Sequence, residues 1–366
     1  MKKRILQIIP TLDRAGAEKQ MCLLAEGLPR DEFDVHVCAL TRGGPLAERL
    51  QEVGIPLTVI GKRCKVDPQS YWRLKKFMAE LRPDLVHGWM FAANTYGFAA
   101  ARACGIKHFV VGQRCVDPWK SRVQLFLDRA LANRCDRVVV NSEGVREFYA
   151  SHGTPDERIT VIPNGVPLPK PTTTTRQQLL AELELPPESR LIGFIGRLWP
   201  QKRGKDAIWT ADLLKVARKD VHLLIIGDGP QRDRLRLFRD QCLANDCVHF
   251  LGERNDVARF MPHFDIVWST SGFEGQSNVI MEAMAAGVPV VATDIPGTRE
   301  LVVPNVTGYL EPVGDRAGFA KASQRLLNDA ALAASFGAAA RERMQNEFSI
   351  AKMVERHVAL YREILS

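Results

Sequence analysis

The chain has 366 residues, of which 46% are hydrophobic and 25% charged, and it carries a formal net charge of +8. That length is too great for one ordinary domain and comfortable for two, each able to bury its own core. The composition is that of a folded globular chain and excludes a disordered, collagen-like or disulfide-stapled one.

In chain order, the basic start Met1-Lys2-Lys3-Arg4 and the apolar run 5–9 imitate a leader peptide. The run is too short and no small-residue cleavage site follows, so it reads as a first buried β-strand. Further β-rich runs occur at 35–40, 57–60, 85–87, 109–111 and 137–140, each separated by a longer helical pattern. The stretch near Trp89 is free of charge but holds Asn94, Thr95 and Tyr96, which predicts a helix on a core rather than a membrane span. After Ile162-Pro163-Asn164-Gly165 come Pro167, Pro169 and Pro171 and the run Thr172 to Thr175, a connector with no apolar period. A second series of strands follows at 191–195, 221–226, 248–251, 266–269 and 288–292. Val354, Val358, Tyr361 and Leu365 then repeat at helical spacing.

Strands alternating with helices predict βαβ units and parallel sheets. The expected fold class is therefore α/β, with two Rossmann-like doubly wound domains facing across a cleft. Residues 1–165 form the first, 166–190 a linker and 191–349 the second. A terminal helix at 350–366 is free to return to the first domain. The eight cysteines are scattered with no C-x-x-C pair, which predicts reduced thiols, a cytoplasmic protein and no zinc site.

Ligands of such sheets bind where strands end and helices begin. Two constellations occupy those places in the second half. Gly196-Arg197-Leu198-Trp199-Pro200-Gln201-Lys202 leaves a strand with one cation on each side of a proline turn. A planar fork and a point charge there suit a pyrophosphate, or else decorate a solvated loop. Glu274-Gly275-Gln276-Ser277-Asn278-Val279 then opens a helix that carries Glu282. The amides at 277–279 are orphan donors for an anion, and the two carboxylates are acceptors for sugar or ribose hydroxyls. The helix dipole alone accounts for Glu282 but not for Glu274.

With these pieces assembled, the chain resembles the family-4 retaining glycosyltransferases of the GT-B fold. The matching segments run in the family's order: Gly16-Ala17-Glu18, Asp84-Leu85-Val86-His87, Asn141-Ser142-Glu143, Ile162 to Val166, Gly196-Arg197 with Lys202, Gly227-Asp228-Gly229-Pro230, and Glu274 to Glu282. The resemblance implies a nucleotide-sugar donor held by the second half. Arg197 and Lys202 would hold its diphosphate, Glu274 the transferred sugar, Gly275 and the amides of Ser277, Asn278 and Val279 the phosphate, and Glu282 the ribose. Gly16 and Ala17 would lie near the donor phosphates, although Ala15 stands where the family usually has a second glycine. His87 is a candidate catalytic or acceptor-side residue, and equally a core histidine. Trp89 replaces the second histidine of the family's H-x-H, to stack on an acceptor or to fill a wall. Arg114 is a third acceptor-side candidate.

The alternatives are an epimerase of the same fold, an NAD-dependent dehydrogenase, and a nonenzymatic sugar-nucleotide binder. The dehydrogenase fingerprint G-x-G-x-x-G fails at Arg232, the sixth position of the best candidate. The sequence has no Asp-x-Asp, so no cofactor or metal is expected. Residues 1–165 hold 25 Lys and Arg against 18 acids, a net of +7, whereas residues 166–366 hold 25 against 24. That asymmetry predicts that the first half receives the acceptor and that this acceptor is anionic or presented at an anionic membrane surface, a peripheral partner; the resemblance implies a glycan or lipid-linked acceptor. No nucleic-acid module appears.

Overall fold

The computed structural model describes residues 2–169 and 171–366; Met1 of the basic start and Lys170 of the connector lie outside the described residues. It has two compact units, Met1–Gly165 with Ile350–Ser366, and Val166–Ser349.

The first unit holds strands β1 (Lys3–Thr11), β2 (Phe33–Arg42), β3 (Leu57–Val59), β4 (Leu85–Trp89), β5 (His108–Gln113), β6 (Arg137–Val140) and β7 (Ile159–Val161). Its helices are α1 (Gly16–Gly27), α2 (Leu46–Glu52), α3 (Pro68–Leu81), α4 (Met90–Ala103), α5 (Arg122–Ala132) and α6 (Glu143–Ser151). The seven strands are parallel in the order β3-β2-β1-β4-β5-β6-β7. Apolar side chains alternate along β1, so Ile5 and Ile9 join one core layer and Leu6 and Ile8 the other. α3 to α6 cover the second layer.

The second unit holds α7 (Arg176–Glu182), β8 (Arg190–Ile195), α8 (Gly204–Ala217), β9 (Val221–Ile226), α9 (Arg232–Gln241), β10 (Val248–Gly252), α10 (Val257–Phe260) and β11 (Ile266–Ser269). There follow α11 (Asn278–Ala285), β12 (Val290–Thr293), α12 (Pro296–Arg299), β13 (Gly308–Glu311), α13 (Arg316–Asn328) and α14 (Ala330–Glu347). Its six parallel strands run β10-β9-β8-β11-β12-β13. The last helix, α15 (Ile350–Leu365), belongs to the first unit, where Met353, Val358 and Tyr361 enter the same layer as α1.

Three details differ from the sequence reading. Residues 166–190, expected as a connector, contain α7, whose Leu179 and Leu180 are buried in the second unit's core. The edge strands β7 and β13 are absent from the expected series; both are only partly buried and neither is a continuous apolar run. β12 begins at Val290 rather than at Val288 because Pro289 has no N–H for the ladder; its carbonyl accepts from Val267 N at 3.0 Å.

Candidate active site

In the second unit, β8 and β11 are neighbours, so the loops leaving their carboxyl ends lie side by side. Backbone bonds carry the β8–β9 pairing into those loops: Gly196 N donates to Ile226 O at 2.9 Å and Leu198 N to Asp228 O at 2.9 Å. Gly227 takes φ +135°, and a Cβ there would sit 2.1 Å from Gly196 O. The Gly227-Asp228-Gly229-Pro230 turn is therefore a brace pressed directly on the backbone of the Arg197 loop, which a side chain would force apart.

The β8 and β11 loops are also cross-linked. Gly272 N donates to Gln201 O at 2.9 Å, Gln201 Nε2 to Phe273 O at 2.8 Å, and Thr270 Oγ1 to Lys202 O at 2.8 Å. Thr293 Oγ1 at the end of β12 holds Ser271 O at 2.5 Å. At Gly297 an added Cβ would fall 1.8 Å from Gly275 O, so α12 presses on the Glu274 loop from behind.

These supports bring Lys202 and Glu274 together. The Lys202 ammonium pairs with Glu274 Oε1, which also accepts from Ser271 Oγ at 2.9 Å. Both side chains keep some exposure, 21% and 11%. Arg197 projects into solvent, its guanidinium 5.8 Å from the centre of the Trp199 ring. Ser277 caps α11 without a side-chain hydrogen bond, and the first intrahelical bond runs from Met281 N to Ser277 O at 3.2 Å. The amides ahead of Met281 thus open the helix as donors. Gly275 and Ser277 are buried, while Asn278, Val279 and Glu282 are half-buried on the same helix start. One end of one sheet therefore gathers Gly196, Arg197, Lys202, Glu274 and the α11 N-terminus. The bracing residues Thr270, Ser271, Thr293 and Gly297 carry no signal of their own in the sequence.

The first unit encloses the three acceptor-side candidates. His87, Trp89 and Arg114 are not on a surface. His87 and Trp89 are fully buried, and Arg114 is 9% exposed. The cause is position: β4 is a central strand and every residue of it is buried. His87 is in register with Gln7 of β1. Its Nδ1 lies 2.7 Å from Tyr361 Oη, Gln7 Nε2 donates to that hydroxyl at 3.0 Å, and Trp89 Nε1 donates to Gln7 Oε1 at 2.6 Å. The His87 and Trp89 rings stack at 4.9 Å. The Arg114 guanidinium lies 4.8 Å over the Trp89 ring and donates to Asn164 Oδ1. Burial, then His357, then Arg114 hold His87 well below its usual pKa. Burial likewise pushes Arg114 down to about 9. His87 is thus enclosed among Gln7, Trp89, His357 and Tyr361, and its Nε2 makes no hydrogen bond among the described residues. Gln7 inside the apolar run 5–9 is the signal that a buried polar cluster is present.

Gly16 begins α1 with no left-handed backbone, and Ala15 before it takes φ −125° and ψ 172°. Any residue adopts that conformation, so the missing second glycine costs the turn nothing.

Comparison with known proteins fits this layout. Residues 14–169 match the model of Glycosyltransferase Family 4, and residues 175–343 that of Glycosyl transferases group 1. The chain belongs to the family-4 glycosyltransferases. The UDP-Gal:α-D-GlcNAc-diphosphoundecaprenol α-1,3-galactosyltransferase of Escherichia coli is 26% identical over 98% of this chain and 96% of its own length. A GDP-mannose-dependent α-mannosyltransferase of Mycolicibacterium smegmatis is 32% identical over 62% of this chain and 60% of its own. The crystal structure of Anabaena HepE in complex with UDP-glucose superposes with a TM-score of 0.89 at 24% identity, covering 98% of this chain and 99% of that one. The two parallel-sheet units are thus those of the GT-B fold, and this glycosyltransferase is of the hexosyltransferase type.

Proposed function

We propose that this glycosyltransferase moves a hexose from a nucleoside-diphosphate sugar to a glycan or lipid-linked acceptor, with retention of anomeric configuration and without a metal. The observation that carries the reading is the Lys202–Glu274 pair beside Arg197 and the α11 N-terminus. In transfer, the anomeric C–O bond breaks, its electron pair goes to the departing diphosphate, and the acceptor oxygen bonds the sugar carbon. Negative charge builds on the diphosphate, where Lys202, Arg197 and the amides opening α11 are placed to receive it. Glu274 beside Lys202 sits where sugar and diphosphate join, and Glu282 farther along α11 suits the ribose. The acceptor hydroxyl attacks from the face the diphosphate leaves, and its proton passes to a leaving phosphate oxygen. Retention rests on the family resemblance, and metal independence on the two side-chain cations and the absence of Asp-x-Asp.

A lipid-linked acceptor is supported by the E. coli relative and by the +7 net charge of residues 1–165. No helix among the described residues is long and apolar enough to cross a membrane, and the reading is of a cytoplasmic enzyme attached peripherally. Relatives use both uridine and guanosine donors by name, so the decisive experiment is a thermal-shift and turnover screen across nucleoside diphosphates and their sugars. One diphosphate at a hundredfold excess over its Kd should stabilise the protein by about 2.7 kcal/mol. Its sugar should turn over in chelator; no shift with any diphosphate, or activity that returns only with added magnesium or manganese, would overturn the corresponding part.

A further inference from the structure

The first unit has an exposed apolar stripe where its fold requires none. α5 packs Leu131 and Ala132 into the core, as a surface helix should. On its outer side Val123 and Phe126 are 68% and 67% exposed, with Leu127 beside them at 39%. Trp119, just ahead of the helix, is 59% exposed. Positions i, i+3 and i+4 form one face, so α5 is apolar on two sides, one of them facing water.

The charges around that stripe are sorted by sign. α4 packs against both α3 and α5, so the outer sides of the three helices make one layer. α4 contains no acid, and Lys62 lies 5.0 Å over the ring of its Tyr96. α3 shows Arg73 and Lys76 to solvent, and Arg122 opens α5. The layer's acids are turned inward. Asp67 is buried as the cap of α3, and Asp117 and Asp128 enclose the Lys120 ammonium at 3.1 and 2.8 Å. Glu80 is the exception, 4.0 Å from Lys76. A cationic layer with an apolar ridge matches the chemistry of an anionic lipid surface, which offers both phosphate headgroups and hydrocarbon.

A second copy of the chain fits less well, because a two-fold contact would set this cationic layer against itself. The stripe on α8 of the second unit shows the contrast. Trp209, Leu213 and Val216 are exposed there too, but Lys215 beside them is matched by Asp212 and Asp246 at 3.4 and 3.7 Å.

We infer that the α3–α4–α5 layer docks on an anionic bilayer, with Val123, Phe126 and Leu127 of α5 seated among the headgroups and Arg73, Lys76 and Arg122 on lipid phosphates. This deepens the peripheral attachment proposed above and rests on that reading. The test is co-sedimentation of the full chain with phosphatidylcholine vesicles, with and without about one-third phosphatidylglycerol. Wild type should bind the anionic vesicles at low salt and keep part of that binding at high salt, because screening weakens the ionic contacts but not the apolar one. The double variant Val123→Ser/Phe126→Ser should lose at least about tenfold in vesicle affinity, most visibly at high salt, with unchanged melting temperature and unchanged donor hydrolysis. Val216→Ser on α8 should bind like wild type. Equal vesicle binding by wild type and the α5 double variant overturns the inference, as does a wild-type dimer that the variant dissociates. If α5 binds vesicles while transfer goes only to soluble sugars, the docking stands and the lipid-linked acceptor falls. If a lipid-linked acceptor is used in detergent and no vesicles are bound, the docking falls and the lipid-linked acceptor stands.

Discussion

Arg114 and Lys202 each follow a central parallel strand, yet one is enclosed and the other half-open. Arg114 has no carboxylate partner; the Trp89 ring and the Asn164 carbonyl oxygen receive it instead. Its Nε and Nη1 make no hydrogen bond among the described residues. Lys202 has a carboxylate partner, Glu274, and both keep access to solvent. A buried cation with neutral partners is expensive to disturb. An ion pair whose members still meet solvent can exchange partners, so an incoming diphosphate can take over the cation. Positive charge and a place beyond a strand end are shared; solvent access separates the two.

The largest expected effect sharpens that contrast. Lys202→Ala should lower kcat/KM by about 10²–10³, or ~3–4 kcal/mol of transition-state stabilisation. Folding stability should change by less than about 1 kcal/mol, since Glu274 keeps Ser271 and partial hydration. Steady-state kinetics and a denaturant melt on the same preparation check both halves. An unchanged kcat/KM in the folded variant would remove Lys202 from the chemistry.

Gly227→Ala tests whether the open loop depends on its brace. The added methyl meets Gly196 O and the backbone must leave φ +135°, so we expect a loss of ~1–3 kcal/mol in stability. Donor KM should rise as the Arg197 loop shifts. A variant with wild-type stability and KM would show that the two loops move independently.

Trp89→Phe is the counterpart in the buried cluster. The ring that stacks on His87 and faces Arg114 is largely kept, but Gln7 Oε1 loses its donor, at a cost of about 1–2 kcal/mol. Because the cluster is enclosed, kcat/KM at a temperature well below the melt should stay within about twofold of wild type. A large drop in kcat with an unchanged melt would return His87 and Trp89 to the acceptor site.

What was legible in the sequence divides along the same line. Strand positions and the parallel type were readable because central strands are continuous apolar runs; the partly buried edge strands Ile159–Val161 and Gly308–Glu311 are not. The Arg197–Lys202 and Glu274–Glu282 segments were readable because each lies within a few residues of its own strand end. Their supports were not, since Thr293 and Gly297 reach the Glu274 loop from another strand and helix. His87 looked functional because a histidine at a strand end is a general signal of chemistry. Its real partners are Gln7, 80 positions earlier, and Tyr361, 274 positions later, and no local pattern announces a hydroxyl arriving from the last helix.

The smallest effect concerns protons. Burial pushes His357 down to about 3, with the Arg114 charge adding to the fall, and the tilted His87 ring lies 5.9 Å away between ring centres. Both imidazoles are neutral in the folded chain, whereas the unfolded chain takes up their protons below about pH 6.5. The unfolded state therefore binds more protons there, and stability falls as pH falls, by up to about 1.4 kcal/mol per pH unit for each histidine. For His357 alone the loss between pH 8 and pH 6 is on the order of 1 kcal/mol. His357→Gln keeps a donor for Met353 O, which His357 Nδ1 meets at 2.8 Å, and removes this titration. Denaturant melts at the two pH values should show the variant less acid-sensitive than wild type by that amount. Some sensitivity should remain, because His87 still titrates. An unchanged pH dependence would mean that His357 takes up its proton as readily in the folded chain as in the unfolded one, and that the cluster around Tyr361 is wetter than its burial implies.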